Sequence, residues 1–133
     1  MRTILLAVFS LLAIVACAGP PPDLIRVSET ESDGVRFVTY ADRATISKIS
    51  NTVRMSSVID PEVADDRRRV SWKDEWNYQC QEKLIQPLRF VQYSGKMGAG
   101  EEMYSQSVPV MYWVGVVPGS VSEKLWKIAC GKE

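Results

Sequence analysis

The cleanest pattern in the chain lies between Ser71 and Cys80. Trp72, Asp74, Trp76, Tyr78 and Cys80 share one parity, while Ser71, Lys73, Glu75, Asn77 and Gln79 share the other. Alternation with a period of two describes a strand with one buried face and one wet face. Asp74 interrupts the apolar face, so it needs a polar partner or a place near a sheet edge, because an unpaired buried carboxylate is costly. Other segments read as strands on similar grounds. Val35–Tyr40 is rich in β-branched and aromatic residues and is predicted to break at Ala41-Asp42-Arg43. Thr52–Ile59 is predicted to stop at Asp60-Pro61. In Leu84–Tyr93, Pro87 implies an edge position or a bulge. The turn-rich Ser94–Gly100 leads to a return strand over Met103–Ser107, and Val110–Val117 supplies a last strand ended by Pro118-Gly119. Asp23–Gly34, polar around Leu24-Ile25, reads as an approach segment.

The period changes after Ser120. Ser120 and Glu123 match the S-x-x-E capping box at the start of a helix. Val121, Leu125, Trp126, Ile128, Ala129 and Cys130 then fall on one arc of about 200°. Lys124 and Lys127 suit the later turns of such a helix, and Gly131 suits its stop. The predicted fold is α+β: an antiparallel sheet of about six strands with a C-terminal helix packed on one face.

The N-terminus follows a different logic. Met1-Arg2 precedes a run that is apolar to Ala16 except for Thr3 and Ser10, which describes an export leader. The run is shorter than the ~20 residues of an ordinary spanning helix. Ile14-Val15-Ala16-Cys17 fits a bacterial lipobox, giving a leader of residues 1–16 and a lipid on Cys17. Ala16-Cys17-Ala18 also fits ordinary A-x-A cleavage, which would remove residues 1–18. The lipobox is preferred, because Gly19-Pro20-Pro21-Pro22 would form an extended, semi-rigid tether. On this reading residues 17–34 are a linker and residues 35–133 the domain. The protein is then exported and favoured as an outer-membrane lipoprotein on either face, otherwise soluble in the periplasm or secreted.

Removing Cys17 from the count leaves Cys80 and Cys130, an even pair in an oxidising compartment. Cys80 continues the apolar parity of its strand and Cys130 lies on the apolar arc of the helix. A sheet-to-helix disulfide follows. A redox-active pair is the alternative, and the absence of C-x-x-C spacing speaks against it.

Composition narrows function chiefly by exclusion. The chain has no histidine, which removes Ser-His-Asp and Cys-His catalysis, zinc–histidine sites and histidine-ligated haem. Once the cysteines pair, no thiolate nucleophile remains. An enzyme is not expected, nor is a cofactor or a metal. Lys and Arg total 16, as do Asp and Glu; losing Arg2 leaves 15 against 16. Without a clustered basic surface, nucleic acid is not an expected partner. Asp65-Asp66-Arg67-Arg68-Arg69 reads as a solvated loop whose charges cancel, against the sharper reading of a docking patch on Arg67, Arg68 and Arg69. Gly95, Gly98 and Gly100 match no phosphate-loop spacing and read as turn glycines. Trp72, Trp76, Tyr78, Tyr112, Trp113 and Trp126 mostly pack between sheet and helix. Trp113 is the expected outlier and binding candidate, because Tyr112 and Val114 compete for its buried face.

Trp76-Asn77-Tyr78-Gln79-Cys80, Leu88-Arg89-Phe90 and Tyr93-Ser94-Gly95-Lys96-Met97-Gly98-Ala99-Gly100-Glu101 together resemble the bacterial surface-adhesin protein E-like family. So does the ending: Trp113, Val117-Pro118-Gly119-Ser120, Leu125-Trp126 and Cys130. The resemblance implies an antiparallel sheet tied to a C-terminal helix through Cys80 and Cys130. It also implies an exported surface protein that binds host extracellular components. A longer Cys80-to-Leu88 segment and Gln79 before the cysteine depart from the family pattern and bear on strand register. Three functions are carried forward: a non-enzymatic lipoprotein binding a host or envelope protein, a carrier of a small apolar ligand, and an envelope accessory protein without a soluble ligand. A homodimer is compatible with each.

Overall fold

A computed structural model describes residues 22–62, 70–109 and 112–132. Among these residues seven strands and one α-helix follow in chain order: β1 (Leu24–Ser32), β2 (Val35–Ile49), β3 (Thr52–Glu62), β4 (Ser71–Gln79), β5 (Leu84–Tyr93), β6 (Glu102–Ser107), β7 (Val114–Gly115) and α1 (Val121–Ala129). The strands form one antiparallel meander in the order β1 to β6, with β7 also paired to β5. The α+β fold with a helix on the sheet is as the sequence predicts.

Several boundaries differ from the sequence reading. β1 lies inside the segment expected as linker, its alternation hidden because only Leu24, Ile25, Val27 and Ser28 are even half-buried. The β2 strand runs through Ala41-Asp42-Arg43 instead of breaking there. Residues 43–46 bulge out between the Asp42 and Ser47 pairings with β3. Asp42 stabilises this detour: its Oδ1 accepts the Ala44 N–H at 3.1 Å, and its carbonyl accepts the Thr45 hydroxyl at 2.7 Å. The β3 strand continues past Asp60-Pro61 to Glu62, because its ladder with β4 ends at Ile59. The missing N–H of Pro61 therefore breaks no bond to β4. The last strand shrinks from Val110–Val117 to the two residues of β7; Val110 and Met111 lie outside the described residues.

Pro87 does mark a bulge. Trp76 pairs with Pro87 and Glu75 with Arg89, leaving Leu88 as the extra residue. The position also falls between the part of β5 paired with β7 and the part paired with β6.

Pairing assigns the two faces. Ala41, Ser57, Asp74 and Phe90 lie across from one another on the face under the helix, as do Met55 and Trp76. On this face the core joins Ala41, Met55, Tyr78 and Ile85 to Leu125, Trp126, Ile128 and Ala129 of α1. Each large side chain so buried contributes about 1.5–3 kcal/mol. Ser120 caps the helix, its Oγ accepting the Glu123 N–H at 3.2 Å. Only half of the predicted box forms: the Ser120 N–H donates to the Val117 carbonyl, and Glu123 pairs with Lys127. Two links then fix α1 to the end of β4. The Trp126 indole N–H donates to the Gln79 carbonyl at 2.9 Å, and Cys80 and Cys130 form a disulfide with 5.6 Å between their α-carbons.

The opposite face has its own smaller cover. Val38, Val58 and Val91 are at most 5% exposed, beside buried Asp60 and Ser71. The loop after β5 folds back over them as a 3₁₀ turn at Lys96–Gly98. The Met97 N–H donates to Asp60 Oδ1 at 2.7 Å, and the Gly98 N–H donates to Ser71 Oγ at 2.7 Å. The Ser71 hydroxyl donates in turn to the Gly95 carbonyl at 2.6 Å. Gly98 is needed here: its φ is +70°, and a Cβ would lie 2.1 Å from Lys73 Cε.

Candidate functional site

Two features of the surface can engage another molecule. The first is a cleft of about 190 Å³ between the helix-covered face of the sheet and the first turn of α1. Ile59, Trp76, Tyr78, Ile85, Val121 and Leu125 form most of its wall. Its polar floor follows from strand register. Ser57 on β3 and Asp74 on β4 are directly paired, and the Ser57 hydroxyl donates to Asp74 Oδ1. This bond supplies the partner that the Ser71–Cys80 pattern demanded for Asp74. It was found on the neighbouring strand, where the sequence of β4 alone could not point.

Asp74 is 7% exposed, and among the described residues no Lys or Arg is one of the groups that act on its carboxyl. Burial raises its pKa above the ordinary carboxylate value; the Ser57 hydrogen bond opposes the rise without cancelling it. The Trp76 indole N–H is buried without a hydrogen-bond partner of its own, yet it faces Asp74 closely enough to oppose that rise too. Tyr78 is pushed in the same direction, by burial first and then by the Asp74 charge. A second cleft of about 390 Å³ lies beside the disulfide, between Lys48, Asn51, Glu82 and Lys132.

The other feature is a series of large apolar side chains left in solvent along the β6 and β7 edge of the sheet. Met103 and Tyr104 on β6 are 60% and 57% exposed, and Tyr112, Val114 and Val117 are 73%, 52% and 61% exposed. All five belong to the stretch that forms β6 and β7, on the outer side of β5. Every residue of β6 is exposed. Consecutive large residues such as Met103-Tyr104 point to opposite faces of a strand, which is the sequence signal for this exposure.

The predicted site residues divide accordingly. Cys80 and Cys130 are joined. Cys17 and Arg67, Arg68 and Arg69 lie outside the described residues. Trp113 is half-buried, while its neighbour Tyr112 is the exposed aromatic. Of the other aromatics, Trp76, Tyr78 and Trp126 pack between sheet and helix as expected, with Trp76 edge-on to Phe90 and Trp126 3% exposed beneath Lys83 and Lys132, whereas Trp72 tilts against Phe37 outside that core. Among the described residues, no group of three or more Asp, Glu, Cys or His side chains is placed to hold a metal ion, and no helix is long and apolar enough to cross a membrane.

Comparison with known proteins agrees with this architecture. The family model for surface-adhesin protein E matches residues 25–131. Two crystal structures of protein E from Haemophilus influenzae share the fold. One superposes with a TM-score of 0.55 at 14% identity, covering 70% of this chain and 80% of the other. The second, from a non-typeable strain, gives a TM-score of 0.54 at 16% identity, covering 86% and 81%. No curated protein matches the sequence.

Proposed function

Because the chain belongs to the surface-adhesin protein E family, we propose that it is a non-enzymatic, exported lipoprotein that binds a macromolecular partner at the bacterial surface. Host extracellular components are the first class of partner to consider. The observation that carries this reading is the series of exposed apolar side chains on β6, β7 and the residues flanking β7. Met and Tyr are enriched where proteins meet, and large apolar side chains left in solvent along one edge of the sheet suit contact with a partner. An edge strand with all its side chains in solvent also offers unpaired backbone groups to a partner. On this reading Tyr104 and Tyr112 are the principal contacts, with Trp113 supporting them and Arg67, Arg68 and Arg69 as a charged accessory. Acylated Cys17 would hold the domain at the outer membrane, with Gly19–Pro22 as the spacer.

Protease treatment of intact cells tests the location, and adhesion of cells to matrix-coated surfaces tests the exposed side chains. The proposal expects the domain to be cut without breaking the outer membrane, and Tyr104→Ala with Tyr112→Ala to reduce adhesion at unchanged protein level. A domain protected until the outer membrane is opened would favour an envelope accessory role facing the periplasm. Full adhesion by the double variant would remove these side chains from the mechanism.

A further inference from the structure

The cleft beneath the first turn of α1 is not explained by a surface contact on β6 and β7. Its size suits a group smaller than most ligands: about 190 Å³ exceeds the ~150 Å³ of an engineered cavity that takes up benzene. Its walls are apolar, which suits a carbon stem. Its floor is unsuited to a wholly apolar guest, because a carboxyl group lies there. Asp74 is held by the Ser57 hydroxyl, and no positive charge among the described residues acts on it.

We propose that this cleft binds a small primary amine on an apolar stem, with the ammonium group set against Asp74. The complementarity is specific. An ammonium supplies three donors, and the two carboxylate oxygens keep acceptor capacity beyond the Ser57 hydroxyl and the neighbouring Trp76 indole N–H. A charge-assisted hydrogen bond inside a low-dielectric cleft is stronger than a neutral one. A cation arriving at Asp74 would also offset the burial that now disfavours its charged form. Trp76 and Tyr78 also line the cleft, giving the stem aromatic surface to pack against. An anionic guest would be repelled by Asp74, and a plain hydrocarbon would leave the carboxyl group unsolvated. This inference stands apart from the surface-binding reading, since the cleft and the exposed edge share no residue.

The same chemistry is carried by a free amine and by a lysine side chain of another protein. Titration of the oxidised protein with benzylamine, with benzyl alcohol as its neutral counterpart, tests the site itself. The readout is the NMR shift of the Trp76 indole N–H and of the Val121 and Leu125 methyls. The expected result is saturable shifts at these groups and about tenfold tighter binding of the amine than of the alcohol. In Asp74→Asn that preference should vanish. In Val121→Phe, which fills the cleft from the helix side without touching the carboxylate, both probes should lose binding. A second titration with an N-acetylated, C-amidated lysine separates the sources: tighter binding than benzylamine assigns the site to a partner's side chain, and weaker binding assigns it to a free amine. Equal affinity for amine and alcohol would overturn the proposal, as would an amine preference that survives Asp74→Asn or shifts that never reach Trp76.

Discussion

Replacing either half of the disulfide gives the most quantitative test of how this fold is held. The bridge joins residues 50 apart in sequence, so Cys80→Ser or Cys130→Ser frees the unfolded chain of a loop of that length. Chain-entropy arithmetic values such a loop at about 4 kcal/mol. For a domain of about 110 residues, 1 kcal/mol moves the melting temperature by about 4 °C, so each variant should melt about 15 °C lower. The native contacts around the bridge are otherwise retained: the Trp126–Gln79 hydrogen bond and the buried Leu125, Ile128 and Ala129 still hold α1 on the sheet. Each variant should therefore remain folded at room temperature. Calorimetry of the two single variants and the double variant, all in reductant to silence the leftover thiol, is the assay. Reduced wild type should match the single variants, and the double variant should lose little more than either. Losses that add in the double variant, or a wild type indifferent to reductant, would refute the bridge as the source of stability.

Three further outcomes follow from the geometry. Gly98→Ala should cost more stability than Gly34→Ala by chemical denaturation. Both positions have positive φ, worth about 1–2 kcal/mol for a non-glycine residue, but only Gly98 faces Lys73, and Gly34 faces open space. Equal losses would mean that the loop does not pack on Lys73. For Asp74 the linkage has a definite sign. Its folded pKa is raised above the ordinary 3.8, so the stability that Asp74 contributes is fully present below that value and is lost as pH rises through the folded pKa. Asp74→Asn should remove this slope, and a wild-type curve rising over the same window would contradict the burial of the carboxyl group. Ser120→Ala should lower stability by about 1 kcal/mol through loss of the helix cap. A change below a few tenths would show that the Glu123 N–H finds water equally well.

The helix and its bridge were legible because their signals are local: a capping pair, a 3.6-residue arc, and cysteines on two apolar faces. The β4 strand was legible because its alternation is strong. The rest depended on contacts between strands. β1 carries few buried side chains, so its pairing with β2 left little trace in its own composition. The polar residues that seemed to end β2 and β3 are satisfied by their neighbours: Asp42 by the bulge it stabilises, Asp60 by the backbone of a loop 37 residues later. The floor of the cleft was half visible, since Asp74 stood out on an apolar face, whereas Ser57 became meaningful only with the register of β3 against β4. The exposed edge had a signal in Met103-Tyr104, but apolar residues by themselves read as core.

The bridge also determines how a cut in this protein appears. The loop it closes contains β5, β6 and β7 and about half of the exposed residues described, including the exposed run Ala99–Ser107. A protease that nicks the chain there releases nothing, because both pieces stay joined through Cys80 and Cys130. The nicked domain keeps its mass on a non-reducing gel and separates into two bands only after reduction. Shaving of intact cells must therefore be read with the thiols reduced, or a fully accessible domain will pass for a protected one.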